Sequence, residues 1–124
     1  MSQTPMSTDH ERLLQAIRHF QAGDMVNASL LAQALFNQDP HHAEAVHLLG
    51  LIADRTDRTE LAVKLLSTAV DLEPWQIRFR IPLGDLYSRL GQFEAAANQY
   101  RQALRLQADP PTVLHQPGPS PSVR

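Results

Sequence analysis

Residues 40–50 read Pro40-His41-His42-Ala43-Glu44-Ala45-Val46-His47-Leu48-Leu49-Gly50, and residues 74–84 read Pro74-Trp75-Gln76-Ile77-Arg78-Phe79-Arg80-Ile81-Pro82-Leu83-Gly84. Each stretch opens on proline and closes on Leu-Gly, 34 residues apart. The same interval carries Ala28 to Ala62 and Ala96, Leu66 to Tyr100, Ala69 to Ala103 and Leu72 to Leu106. A fixed period of this size marks stacked supersecondary units, none of which buries its apolar face alone.

Within each period the apolar spacing is helical. Leu13, Ala16, Ile17 and Phe20 fall at i, i+3, i+4 and i+7. Leu31, Leu35 and Phe36 form a second stripe, which Pro40 cannot continue. A third runs through Ala43, Val46, Leu49, Gly50 and Ala53, and a fourth through Leu61, Leu65, Leu66, Ala69 and Val70. Leu83, Leu86, Tyr87 and Leu90 give a fifth; Phe93, Ala96, Ala97, Tyr100, Ala103 and Leu104 a sixth. Gly23 and Gly91 supply the left-handed backbone that closes a helix, and Asp57 stands where that glycine is expected in the middle unit. Thr8 with Glu11, and Asp57 with Glu60, have capping-box spacing. The spacing predicts helices over about 8–22, 25–38, 43–56, 59–73, 77–90 and 93–107. Pro82 inside the fifth predicts either a start near Phe79 or a kink.

The expected organisation is a disordered N-terminus over 1–7, an ordered domain over 8–108 in three units (8–42, 43–76 and 77–108), and a Pro-rich disordered tail over 109–124. The chain has no Cys, which removes disulfide and thiolate chemistry. Net charge is −2, so no global basic field argues for nucleic acid, and no window is apolar enough to span a membrane. With a polar start at Met1–Asp9, the expectation is a cytoplasmic protein. Residues 1–62 hold 4 basic and 8 acidic side chains, and residues 63–124 hold 7 and 5. All the basic residues but Lys64 are Arg, which leans toward an acidic ligand near the C-terminal half. His41, His42 and His47 cluster around Glu44, but two of them fall in a turn and no further ligand lies close, so no metal is expected. No catalytic constellation or phosphate loop stands out, so neither enzymatic activity nor a cofactor is expected.

With these residues placed, the chain resembles the tetratricopeptide repeat (TPR) family. The second unit matches the pattern at Val46, Leu49, Gly50, Ala53, Ala62, Leu66, Ala69 and Pro74, and the third at Leu83, Gly84, Tyr87, Ala96, Tyr100 and Ala103. The first matches at Gly23, Ala28 and Pro40. The resemblance implies an all-α, right-handed α-solenoid of three helix-turn-helix repeats, about six antiparallel helices. Gly50 and Gly84 would allow close helix approach, with Leu49, Leu66, Leu83, Tyr87 and Tyr100 filling the space beside them.

In this family the first helix of each unit lines a concave groove that holds a peptide. The resemblance therefore implies a protein-interaction scaffold with groove positions at Glu44, His47, Leu51, Asp54 and Arg55, then at Arg78, Ile81, Asp85, Ser88 and Arg89. The first unit would contribute His10, Leu13, Ile17, Phe20 and Gln21. Arg55, Arg78 and Arg89 would receive carboxylates of an acidic peptide. Two other roles stay open: the substrate-presenting part of a bacterial sulfotransferase or glycosyltransferase, and a secretion chaperone. The last helix would leave Tyr100, Leu104 and Leu106 partly open. Val113 and Leu114 folding back, a second copy forming a homodimer through this C-terminal helix, or a partner could each cover them.

Overall fold

The computed structural model describes residues 5–108, with side chains from Asp9 onward. It contains six α-helices and, among the described residues, no strand: α1 Pro5–Gln21, α2 Met25–Gln38, α3 Ala43–Arg55, α4 Thr59–Leu72, α5 Ile77–Arg89 and α6 Phe93–Ala108. Helices α1–α4 belong to one compact unit and α5–α6 to a second, divided between Leu72 and Glu73. The expected tail over 109–124 lies outside the described residues, as do residues 1–4 of the expected N-terminal segment.

The remainder of that segment is corrected: helix α1 starts at Pro5, not near residue 8. Proline suits the first helical position, where its missing N–H would be unpaired in any case. Thr8 and Glu11 therefore lie inside the helix, past the position an N-cap occupies. Asp57 likewise does not cap α4, because it occupies the turn itself at φ 63°.

Three turns close alike. Gly23, Asp57 and Gly91 have φ of 86°, 63° and 81°. The next residue reaches back five positions each time: the N–H of Asp24 to the carbonyl of His19 (2.8 Å), Arg58 to Ala53 (2.8 Å) and Gln92 to Tyr87 (2.9 Å). These are the hydrogen bonds of a helix ended by one left-handed residue. The other boundaries follow from proline. Asp39, before Pro40, is extended (φ −147°, ψ 96°), because the proline ring disfavours helical backbone in the residue ahead of it. Helix α5 runs through Pro82 from Ile77, so a start near Phe79 is ruled out, and Pro82 has no N–H for the carbonyl of Arg78.

Helix α3 is the centre of the first unit. It buries Ala45, Val46, Leu48, Leu49, Ile52 and Ala53, far more of its circumference than an amphipathic surface helix. Leu48, Leu49 and Ile52 form one core cluster with Ala16 of α1 and Ala28 and Ala32 of α2. Helix α4 closes on α3 at Gly50, where a Cβ would lie 2.8 Å from Cδ2 and 2.9 Å from Cγ of Leu66. The second unit repeats this contact: a Cβ at Gly84 would lie 2.7 Å from Cε1 of Tyr100. Leu49, Leu66 and Leu83 are buried as expected, whereas Tyr87 and Tyr100 are half-buried.

Candidate functional site

The first helices of the two hairpins in unit one, α1 and α3, meet at their C-terminal ends. Arg55 Cζ lies 4.7 Å from the centroid of the Phe20 ring. Phe20 can hold this place because its ring also presses, with Ile17, on the core cluster. A guanidinium over a ring gains roughly 0.5–1 kcal/mol at an exposed site. Stacking orders the Arg55 side chain and leaves the in-plane N–H groups able to donate to a carboxylate. Leu13, Ile17, His47, Leu51, Glu44 and Asp54 are half-buried on the same two helices, and His10 and Gln21 are exposed.

The corresponding helix of unit two is α5. Arg78, Ile81, Asp85 and Arg89 are exposed on it and Ser88 is half-buried. Arg78 Cζ sits 5.3 Å from the ring centroid of Phe79, whose ring is fully buried. Asp85 Oδ1 accepts the Tyr100 hydroxyl at 2.5 Å. That bond, then lost hydration and the carboxylate's charge, push the Tyr100 pKa up. Asp85 is thus tied to α6, a role the sequence reading did not give it. Trp75, the lone Trp, is half-buried at the start of this unit.

His42 has a local task. Its Nδ1 accepts the backbone N–H of Ala45 at 3.2 Å, so it is the N-cap of α3. At the α1–α2 turn, Asp24 caps α2: Oδ1 accepts the Asn27 backbone N–H (3.2 Å) and Oδ2 its side-chain amide (2.7 Å). His19 Nδ1 lies 3.3 Å from Oδ2. The Asn27 bonds, assisted by His19, hold the Asp24 carboxyl below its ordinary pKa. The sequence reading also missed a cleft of about 330 Å³ between α2 and α4, floored by Leu49, Ile52 and Ala53 and walled by Phe36, Leu61 and Leu65. Only the alternation of large and small residues on α2 and α4 could have signalled it.

Stacked helical hairpins, Gly-mediated helix contacts and an exposed face of aromatic, Arg and aliphatic side chains define a helical-repeat binding module. Residues 13–74 match one tetratricopeptide repeat family model and residues 79–110 a second. The chain belongs to the tetratricopeptide repeat family. It is 31% identical over 96 residues to human tetratricopeptide repeat protein 7A, a span of 73% of this chain and 11% of that protein. Among solved structures it is similar to a mutant Thermobaculum terrenum O-GlcNAc transferase (28% identity, TM-score 0.80), covering 89% of this chain and 21% of the other. It also shares its fold with PcrH, solved in complex with the chaperone binding region of PopB (21% identity, TM-score 0.78, 90% of each chain). The chain thus spans a small part of the human protein and of the transferase. No helix among the described residues is long and apolar enough to cross a membrane.

Proposed function

We propose that the chain binds a peptide or extended protein segment on the outward faces of its first helices, without catalysis, in the cytoplasm. The observation that carries this reading is Arg55 stacked on Phe20. It offers an ordered cation beside half-buried aliphatic side chains, a combination that suits a ligand with an acidic group next to an apolar one. In the second unit, Arg78 and Arg89 are exposed cations on α5. A net charge of −2, with no long apolar helix among the described residues, suits a protein partner better than nucleic acid or a bilayer. The complex of PcrH with a segment of PopB supports peptide capture by this fold and makes secretion chaperoning one form the function could take.

A second reading, as the substrate-presenting segment of a larger transferase, rests on the similarity to the O-GlcNAc transferase. A reading frame continuing into a transferase domain downstream in the genome would favour it.

The test of the first reading is peptide selection from a random library on the full chain, followed by calorimetry. Selected peptides should be enriched in Asp and Glu. Arg55→Ala, Phe20→Ala and Arg89→Ala should each weaken them about tenfold, the loss of one charge-assisted contact. Equal affinity for all three variants and the wild type would reject the assignment of this face.

A further inference from the structure

The outer side of α6 carries an apolar stripe that no other described residue covers. At 3.6 residues per turn, Phe93, Ala97, Leu104 and Ala108 fall within a sector of about 60°. Phe93 is 68% exposed and Leu104 64%, and both alanines are exposed too. The buried residues of α6, Ala96 and Ala103, lie on another side of the helix. The repeat tells what such positions ordinarily do. Met25 and Phe36, 68 residues before Phe93 and Leu104, pack against the core cluster to which α3 contributes Leu48, Leu49 and Ile52. Helix α6 keeps apolar side chains at both places, with no further helix among the described residues to cover them.

Charge runs along one flank of the stripe. Glu94 lies in the first turn of α6, Arg101 in its second half and Arg105 in its last turn. All three are exposed, and none pairs with an opposite charge among the described residues.

We propose that this face is a homodimer interface in which α6 of two copies packs antiparallel about a two-fold axis. Antiparallel packing sets Phe93 of each copy beside Leu104 of the other, with the small Ala97 near the axis. It also brings the same flank of both helices together. Glu94 of one copy then meets Arg101 and Arg105 of the second, and symmetry repeats the pair. Parallel packing about a two-fold would turn the charged flanks to opposite sides of the seam and leave Glu94 without an Arg to meet, so charge favours a second copy in the antiparallel direction. The chain's own C-terminal segment is a poorer occupant. The stripe from Phe93 to Leu104 is about 16 Å long. Prolines at 110, 111, 117, 119 and 121 leave no proline-free stretch past Pro110 longer than Thr112–Gln116. One helix per copy makes a small interface of the transient class, so the dimer forms and dissociates with concentration. The stripe is on a second helix, so the pairing stands independently of peptide binding on the first helices.

Sedimentation velocity on the full chain across the micromolar-to-millimolar range tests this. The wild type should show a concentration-dependent monomer–dimer equilibrium, and Leu104→Asp should be monomeric. Glu94→Arg makes the flank wholly basic, and Arg101→Glu/Arg105→Glu makes it wholly acidic. Each variant alone should dissociate about tenfold more readily or worse. Their equimolar mixture should regain the dimer, with far-UV circular dichroism verifying that helix content is kept throughout. A monomer at every concentration overturns the proposal. If truncation after Ala108 then speeds amide exchange in α6, the chain's own C-terminal segment is the occupant instead. A dimer indifferent to both charge variants, or a mixture that stays monomeric, also overturns it.

Discussion

Replacing Gly50 with Ala sets two effects of known sign against each other. In an exposed helix interior the change stabilises by about 1 kcal/mol, because Ala loses less backbone freedom than Gly. At Gly50 the new methyl meets Leu66 at 2.8 Å (Cδ2), 2.9 Å (Cγ) and 3.2 Å (backbone N). Leu66 is 1% exposed, so its side chain moves only against packed neighbours, and the contact with its backbone N asks α4 to give by a few tenths of an ångström. Overpacking of this kind costs about 1–3 kcal/mol, and the backbone contact places Gly50→Ala at the upper end. The net expectation is a loss of about 2 kcal/mol. At Gly84→Ala the nearest atoms all belong to the ring of Tyr100, a half-buried side chain rather than backbone, so its net loss should be about 1 kcal/mol. Equilibrium urea unfolding followed by circular dichroism reads both. Leu66→Ala adds an internal check: it should destabilise alone, yet in Gly50→Ala/Leu66→Ala the two losses should sum to more than the double variant shows. A Gly50→Ala protein as stable as the wild type would refute the close-packing argument.

Four further outcomes follow from the turns and ionisable contacts. Gly91→Ala should cost about 1 kcal/mol although nothing lies within 4 Å of the new methyl, since φ is 81° and the strain is purely in the backbone. Asp57→Gly, at φ 63°, should leave the melting temperature unchanged or raise it by a few degrees. Asp24 has a depressed folded pKa, so its contribution is complete above the unfolded value of about 4 and fades as pH falls through the lower, folded one; denaturation midpoints of wild type and Asp24→Ala should therefore converge on acidification below about pH 4. Tyr100 has a raised folded pKa, so its contribution is intact below about pH 10 and is lost above it; alkaline titration of stability should be flatter in Tyr100→Phe than in the wild type.

The helices were legible because the repeat supplies the same evidence more than once. Gly23, Asp57 and Gly91 are chemically unlike at the middle position, yet the resemblance to the repeat pattern puts Asp57 where the inter-helix glycine is expected, and its φ is 63°. Helix α1 was misjudged at its start because Thr8 and Glu11 imitate a cap, and local spacing cannot tell a cap from two polar residues within a helix that begins earlier. The His42 cap was hidden for the opposite reason: histidine is not among the usual capping residues, and only its rotamer brings Nδ1 to the Ala45 N–H. Side-chain pairs between helices were the least accessible. Arg55 and Phe20 both stood among the groove positions, but 35 residues separate them and nothing in either sequence neighbourhood specifies the stack. Asp85 looked like a groove carboxylate, whereas its bond to Tyr100 depends on how closely Gly84 lets α6 approach. Phe93 sat in an apolar stripe that read as packing; its separation from Ala96 and Ala103 around α6 puts it on the exposed side.

The central claim is that the ligand is received on the first helices, α1 and α3 in one unit and α5 in the other, while α2, α4 and α6 pack against them within each unit or face other partners. Backbone amide chemical-shift mapping by NMR, with a library-selected peptide titrated into the isotope-labelled full chain, addresses it most directly. The account predicts shifts concentrated around Ile17–Gln21, His47–Arg55 and Arg78–Arg89. Shifts concentrated instead on α2 and α4, around the Phe36–Leu61–Leu65 cleft, would contradict it.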